Sequence, residues 1–270
     1  MISERAFLLT VLEQPEATAP RLVYADWLDE HGDAARAEFI RLQCADQDDA
    51  RQRELIQEHR SIWAGPVFRH AYHYQFRRGF VEEVTIQVRL LLDLGAEMFA
   101  QAPIRLLRLI GAQGLIGRVV QMPELRRLHA LHLTGCAIGD EGAGILAKSS
   151  VFAGLKTLRL GTNAVTDDGI EMLVESRNFQ QLQALVLRDN LIGDTGAQLL
   201  ARAKFWPRLQ CLDLSDNLIG EAGLQTLARN PSLRLLHRLD VSHQFKGHSP
   251  GPHLREWEQL QAAATASARS

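Results

Sequence analysis

Five leucines spaced at one interval organise the second half of this chain. Leu128, Leu155, Leu182, Leu209 and Leu236 stand 27 residues apart. Further apolar residues follow each at fixed offsets: Leu131/Leu133, Leu158/Leu160, Leu185/Leu187, Leu212/Leu214 and Leu239/Val241. Asn163, Asn190 and Asn217 come next, with Cys136 ahead of them and Gln244 behind in the same register, and then Ile138, Val165, Ile192 and Ile219. Alternation of two apolar residues around one variable residue predicts a short strand with one buried face. Gly139-Asp-Glu-Gly142, Thr166-Asp-Asp-Gly169, Gly193-Asp-Thr-Gly196 and Gly220-Glu-Ala-Gly223 then pair a turn with an acidic helix start. A return helix of about three turns follows. Its Leu146/Ala147, Leu173/Val174, Leu200/Ala201 and Leu227/Ala228 face the strand layer, and the second glycine of each turn permits close backbone approach.

A strand plus one helix cannot bury its own apolar face, so such units stack and their strands form a parallel sheet. The asparagine amides are expected to be buried, satisfying the turn that leaves each strand, with Cys136 as a buried turn residue of the same kind. Upstream, Ile104, Leu107 and Leu109 fit a shorter copy with Ala112 at the asparagine position, and Val81, Val84 and Ile86 a fainter one. Seven strands are predicted.

Before residue 65 the period changes. Phe7/Leu8/Val11/Leu12, Leu22/Tyr24/Trp27/Leu28 and Phe39/Ile40/Leu42 recur at helical spacing between breaks at Pro15, Pro20 and Gly32-Asp33. Another helix is expected from Asp48 to Trp63. Tyr24 and Trp27 belong to the apolar face. Asp26 and Glu30 share a helix face and are read as a solvated or ion-paired surface, with Arg36 or Arg41 as partner, rather than as an acid/base pair. After residue 244 the repeat stops, Gly247–Pro252 reads as a loop, and a capping helix is expected over Leu254–Ala264. The resulting division is 1–65, an acidic helical domain; 66–127, a junction with degenerate repeats; 128–244, regular repeats; and 245–270, a C-terminal loop and helix.

The regular stretch resembles the leucine-rich repeat family, in its ribonuclease-inhibitor-like subtype with a full helix in each return segment. That resemblance implies an α/β fold, a curved solenoid with a parallel sheet on the concave face and helices on the convex face, behind a small α-helical domain. The segment Ala19–Asp33, followed by Arg36-Ala-Glu-Phe-Ile-Arg-Leu-Gln43 and Arg78-Gly-Phe-Val-Glu-Glu83, is similar to a bacterial repeat-companion domain found ahead of leucine-rich repeats. This second resemblance implies no activity or substrate. The segment is expected to cover the open apolar end of the solenoid.

Charge sharpens the division. The 270 residues carry a formal net charge of −2, but residues 1–65 hold seven Arg against thirteen Asp/Glu, a net of −6, and the remainder +4. Near-neutrality argues against a nucleic-acid or anionic-membrane binder. Three cysteines without a Cys-x-x-Cys pair exclude a disulfide framework and a cysteine-rich zinc site. The residues from Met1 to Glu13 lack a secretory pattern, so the chain is read as cytoplasmic and monomeric. Phosphate-loop, His-Glu-x-x-His, Gly-x-Ser-x-Gly and dinucleotide motifs are absent. No catalytic residue, cofactor or metal is therefore assigned. His129 and His132 face differently if their strand holds, and the late His237, His243, His248 and His253 are irregularly spaced.

Function is expected on the outward positions of the strands. The central line runs Thr85, Arg108, His132, Arg159, Val186, Asp213, Asp240, positive before negative. Arg188 stands on the neighbouring line, and Asp189, Asp216 and His243 form a rim. Such variation over a constant framework points to binding a protein partner through Arg108, His132, Arg159, Arg188, Asp213 and Asp240. Two alternatives are a trans-acting regulator, since the helical-repeat subtype is similar to the Ran GTPase-activating proteins, and a homo-oligomeric scaffold.

Overall fold

A computed structural model describes residues 3–203, 207–230, 233 and 236–244. The expected C-terminal loop and helix lie outside the described residues. The chain divides into two compact units, Met1–Arg108 and Leu109–Ser270.

The first unit opens with helices α1 (Glu4–Glu13), α2 (Ala19–Glu30), α3 (Ala34–Ala45), α4 (Asp49–Trp63) and α5 (Pro66–His70). Pro20 sits in the first turn of α2, where its missing N–H leaves no helical bond unmade. Asp33 caps α3 by accepting the Arg36 N–H at 3.0 Å, and Asp48 caps α4 through the Arg51 N–H at 3.1 Å. Val11, Tyr24, Ala25, Leu28, Ala37, Ile40 and Phe80 form a shared core, with Trp27 packed against it. The buried face of α2 is Arg21, Tyr24, Ala25 and Leu28, whereas Leu22, expected on that face, is exposed.

Strands β1 (His73–Arg77) and β2 (Phe80–Gln87) follow, then α6 (Val88–Gln101) and β3 (Leu106–Ile110), within which the division into units falls. β1 is absent from the seven strands expected. It pairs antiparallel with β2, so the strand of the faint copy at Val81–Ile86 is also one arm of a hairpin, while β3 lies on its other side in the same sheet. The hairpin turns through Arg78 and Gly79, at φ 48° and 85°, the left-handed pair that a two-residue turn requires. A Cβ on Gly79 would also collide with Ile40.

Arg21 explains why this hairpin sits where it does. Its side chain is completely buried, donates to the carbonyls of Pro15 (2.7 Å), Arg78 (3.0 Å) and Arg77 (3.3 Å), and pairs with Glu82 at 2.7 Å. Burial pulls its pKa down, opposed by Glu82. Arg36, expected as a surface ion-pair partner, is buried instead. Its guanidinium lies 4.9 Å from the Trp63 ring and 5.2 Å from that of Phe80, and burial lowers its pKa to about 10. Arg41 takes the surface role, contacting both Asp26 (2.8 Å) and Asp29 (2.5 Å).

In the second unit, α7 (Ile116–Val119) precedes a strict alternation of β4 (Ala130–His132), α8 (Gly139–Lys148), β5 (Thr157–Arg159), α9 (Asp167–Val174), β6 (Ala184–Val186), α10 (Asp194–Arg202), β7 (Cys211–Asp213), α11 (Glu221–Arg229) and β8 (Arg238–Asp240). β4 to β8 pair in parallel with a register of one repeat, aligning Leu131, Leu158, Leu185, Leu212 and Leu239, all buried.

Two hydrogen-bond ladders tie the coils together. Each asparagine amide serves two of them: Asn190 Oδ1 accepts the N–H groups of Asn163 and Val165 at 3.0 Å, while its Nδ2 donates to the carbonyls of Leu160 (3.0 Å) and Leu187 (2.8 Å). Asn163 and Asn217 bond similarly, and Gln244 continues the line by accepting from the Ile219 N–H at 3.1 Å. At Cys136 the thiol donates to the Leu109 carbonyl at 3.2 Å, and burial raises its pKa. The second ladder was not foreseen. Asp140 accepts the Thr166 N–H (2.8 Å), Asp167 the Gly193 N–H (2.7 Å) and Asp194 the Gly220 N–H (2.7 Å), so the starts of α9, α10 and α11 are each capped from the preceding coil. A Cβ on Gly196 would collide with the Asp167 carboxylate and Ile192.

Candidate interaction surface

The parallel register places His132, Arg159, Val186, Asp213 and Asp240 on one line across β4 to β8. Strands in such a sheet lie about 4.8 Å apart, so Arg159 and Asp213, two strands removed, stand roughly 10 Å from each other. Of the residues assigned from sequence, Arg159 is exposed, and Asp213 and Asp240 are half-buried. His132 departs from expectation: it shares the outward register line but is only 6% exposed. Arg108 is exposed on β3 in the first unit. Arg188 is exposed beside the line and engages Asp216 through Nε at 2.7 Å.

The two aspartates are held in one conformation by the turn that follows. Asp213 Oδ1 accepts the N–H (3.0 Å) and hydroxyl (2.6 Å) of Ser215, and Asp240 Oδ1 accepts the same groups of Ser242 at 3.1 and 2.7 Å. Burial pushes the Asp240 carboxyl up, but the Ser242 bonds and Arg238 outweigh it and leave the pKa below the usual value. Fixed carboxylates at one end of the line and the exposed Arg159 toward the other make a surface polarised along the sheet, suited to a partner of matching polarity.

Thr162, Asp189, Asp216 and His243 occupy the rim, each at φ between 55° and 57°. Aspartate tolerates this left-handed region well; threonine does so poorly. The Thr162 hydroxyl donates to Asp189 at 2.9 Å, joining neighbouring coils. Sequence reasoning named Asp189, Asp216 and His243 but missed Thr162. It also missed Leu191 and Leu218, which are 48% and 45% exposed beside the rim. The signal was present: a large apolar residue at the variable position after the asparagine in two consecutive copies, where Ala137 and Ala164 stand in the others.

Among the described residues no group of three or more His, Cys, Asp and Glu side chains could hold a metal ion. None of their helices is long and apolar enough to cross a membrane. His129 lies just before β4 rather than on it, and its carbonyl accepts the N–H groups of Lys156 and Thr157 at 2.8 and 2.9 Å.

The family model described as Leucine Rich repeat matches residues 125–147, 155–174, 180–201 and 208–228. No curated protein matches the chain. Among solved structures, the chain is similar to Leiomodin-1 Actin-Binding Site 2, with a TM-score of 0.40 and 14% identity over 57% of this chain and 90% of that one. It is also similar to an internalin from Listeria monocytogenes str. 4b F2365, with a TM-score of 0.24 and 16% identity over 54% of this chain and 55% of that one.

Proposed function

We propose that the leucine-rich repeats of this chain form a noncatalytic module that binds a protein partner on the exposed face of their parallel sheet, around Arg159, Val186, Asp213 and Asp240. One observation carries this reading. Along the register line the outward side chains change from coil to coil while Leu131, Leu158, Leu185, Leu212 and Leu239 stay buried and constant. A scaffold that holds its framework and varies one face separates folding from recognition. Arg188 and the rim aspartates extend the surface.

Several finer readings accompany this one. The helix in every described return segment, eight to ten residues long in α8 to α11, supports the ribonuclease-inhibitor-like subtype. The capped helices α3 and α4 and the turn at Arg78-Gly79 leading into β2 support a repeat-companion domain at the N-terminus. The protein acts as a cytoplasmic monomer on a partner that is neither nucleic acid nor lipid.

A photo-crosslinking residue placed at Val186 tests the surface in the source cell. The expected result is a defined polypeptide adduct that disappears when Asp213→Lys and Asp240→Lys are added, with no adduct from a probe at the exposed Lys148 on α8. An adduct only from Lys148, or one at Val186 indifferent to both reversals, would move the site off the sheet.

A further inference from the structure

Where each strand of the repeats turns toward its helix, two large apolar side chains face water. Leu191 and Leu218 hold the same position in consecutive coils, and their N–H groups donate to the carbonyls of Val165 and Ile192, each at 2.9 Å. They are 48% and 45% exposed, and Ala137 and Ala164 are exposed at that position in the two preceding coils. The next residues, Ile192 and Ile219, are the ones that enter the core. The two leucines are thus adjacent, outward and surplus to the packing of their own coils.

Charge around this ridge selects the sign of its occupant. The four turns, residues 134–142, 161–169, 188–196 and 215–223, hold eight carboxylates against one cation, Arg188. Four of the eight have internal tasks: Asp140, Asp167 and Asp194 accept N–H groups of the next coil, and Asp216 engages Arg188. Glu141, Asp168, Asp189 and Glu221 are exposed, one in each coil. A helix dipole favours carboxylates at a helix start, but it accounts neither for Asp189, which lies ahead of α10, nor for the leucines. The opposite edge, residues 147–157, 174–184, 201–211 and 228–238, has nine Lys and Arg against one Glu. It exposes no large apolar side chain among the described residues, so a second copy of this chain offers the leucines no apolar counterpart.

Spacing selects the shape of the occupant. Coils recur about every 4.8 Å and one turn of an α-helix rises about 5.4 Å, so a helix lying along this edge advances close to one turn per coil. We propose that Leu191 and Leu218 dock a basic amphipathic helix of a partner protein, whose apolar residues three or four apart cover the two leucines while its Lys and Arg meet the exposed carboxylates. The ridge lies beyond the sheet face, and either reading stands if the other falls.

Titration of the full chain into a fluorescein-labelled helical peptide of Leu, Lys and Ala, with Leu at every third or fourth position, tests it by anisotropy. Expected is saturable binding, weakened about tenfold or more by Leu191→Ser/Leu218→Ser and, separately, by Asp168→Lys/Glu221→Lys. Asp213→Lys/Asp240→Lys on the sheet should leave it unchanged. A peptide of the same composition with its leucines scattered should also bind about tenfold more weakly, a change that leaves the protein untouched. The proposal is overturned by absence of saturable binding, by equal affinity for the scattered peptide, by indifference to the leucine substitutions, or by loss of binding on the sheet reversals. Self-association of the wild type that the leucine substitutions abolish, read by light scattering, would overturn it in favour of a second copy.

Discussion

The two units bury polar groups in opposite ways. The first hides charges: Arg21 against Glu82 and three carbonyls, and Arg36 among aromatic rings. The second hides neutral amides, one in each of three successive coils. The reason is electrostatic. Identical side chains stacked about 4.8 Å apart in a dry interior must be neutral, because like charges there repel strongly, whereas the aspartates of the second ladder are only part-buried. A one-off packing has no such constraint, and a buried ion pair there specifies a single arrangement at some cost in desolvation.

The comparison breaks most severely at Glu82. Glu82→Ala leaves Arg21 charged and buried, and urea denaturation should show a loss of about 3–5 kcal/mol. The double variant Arg21→Met/Glu82→Leu should be more stable than Glu82→Ala alone; a double variant as unstable as the single would mean the pair itself holds the unit together. Next comes Asn190→Leu, which orphans the N–H groups of Asn163 and Val165 and the carbonyls of Leu160 and Leu187. Its expected cost is roughly 3 kcal/mol, with amide exchange accelerating in the coils on both sides. Exchange confined to one coil would show that the ladder does not couple them.

Gly196→Ala should cost about 2 kcal/mol through its clash with Asp167, and the added substitution Asp167→Ala should recover part of it. At Cys136 the expected effect is smaller and depends on pH. Its raised pKa means the folded state holds the thiol proton more tightly. Its contribution is therefore whole below the ordinary thiol range and is lost as pH rises through the folded value. Wild type and Cys136→Ala should converge in stability across that alkaline window, and a constant difference would assign the residue to packing alone. The smallest change is expected for Arg41→Ala: its pairs with Asp26 and Asp29 are solvent-exposed and worth under about 1 kcal/mol, less in high salt.

Legibility followed the same line. The coil register, the buried asparagines and the glycine beside each helix start could be read from Leu128 onward, because every residue in a coil meets its own counterpart 27 positions away. Arg21 defeated the apolar template, which placed Leu22 inside: nothing local tells an arginine that three carbonyls and Glu82, the last of them 61 residues later, will receive it. His132 defeated it too, since its outward register position is set by the strand whereas its burial is set by what surrounds β4. The recognition surface was legible as a set of positions, but the turn bonds from Ser215 and Ser242 that lock Asp213 and Asp240 were not.

The amino-acid sequence by itself determined the period, the order of strand and helix in each coil, and the neutral ladder, because short-range pattern and self-repetition fully specify a contact between identical neighbours. Tertiary structure alone decided that β1 would pair antiparallel with β2 and that Arg21 and Arg36 would be buried. Those outcomes depend on contacts between unlike segments that occur once, and a pattern that never recurs leaves no periodic trace to read.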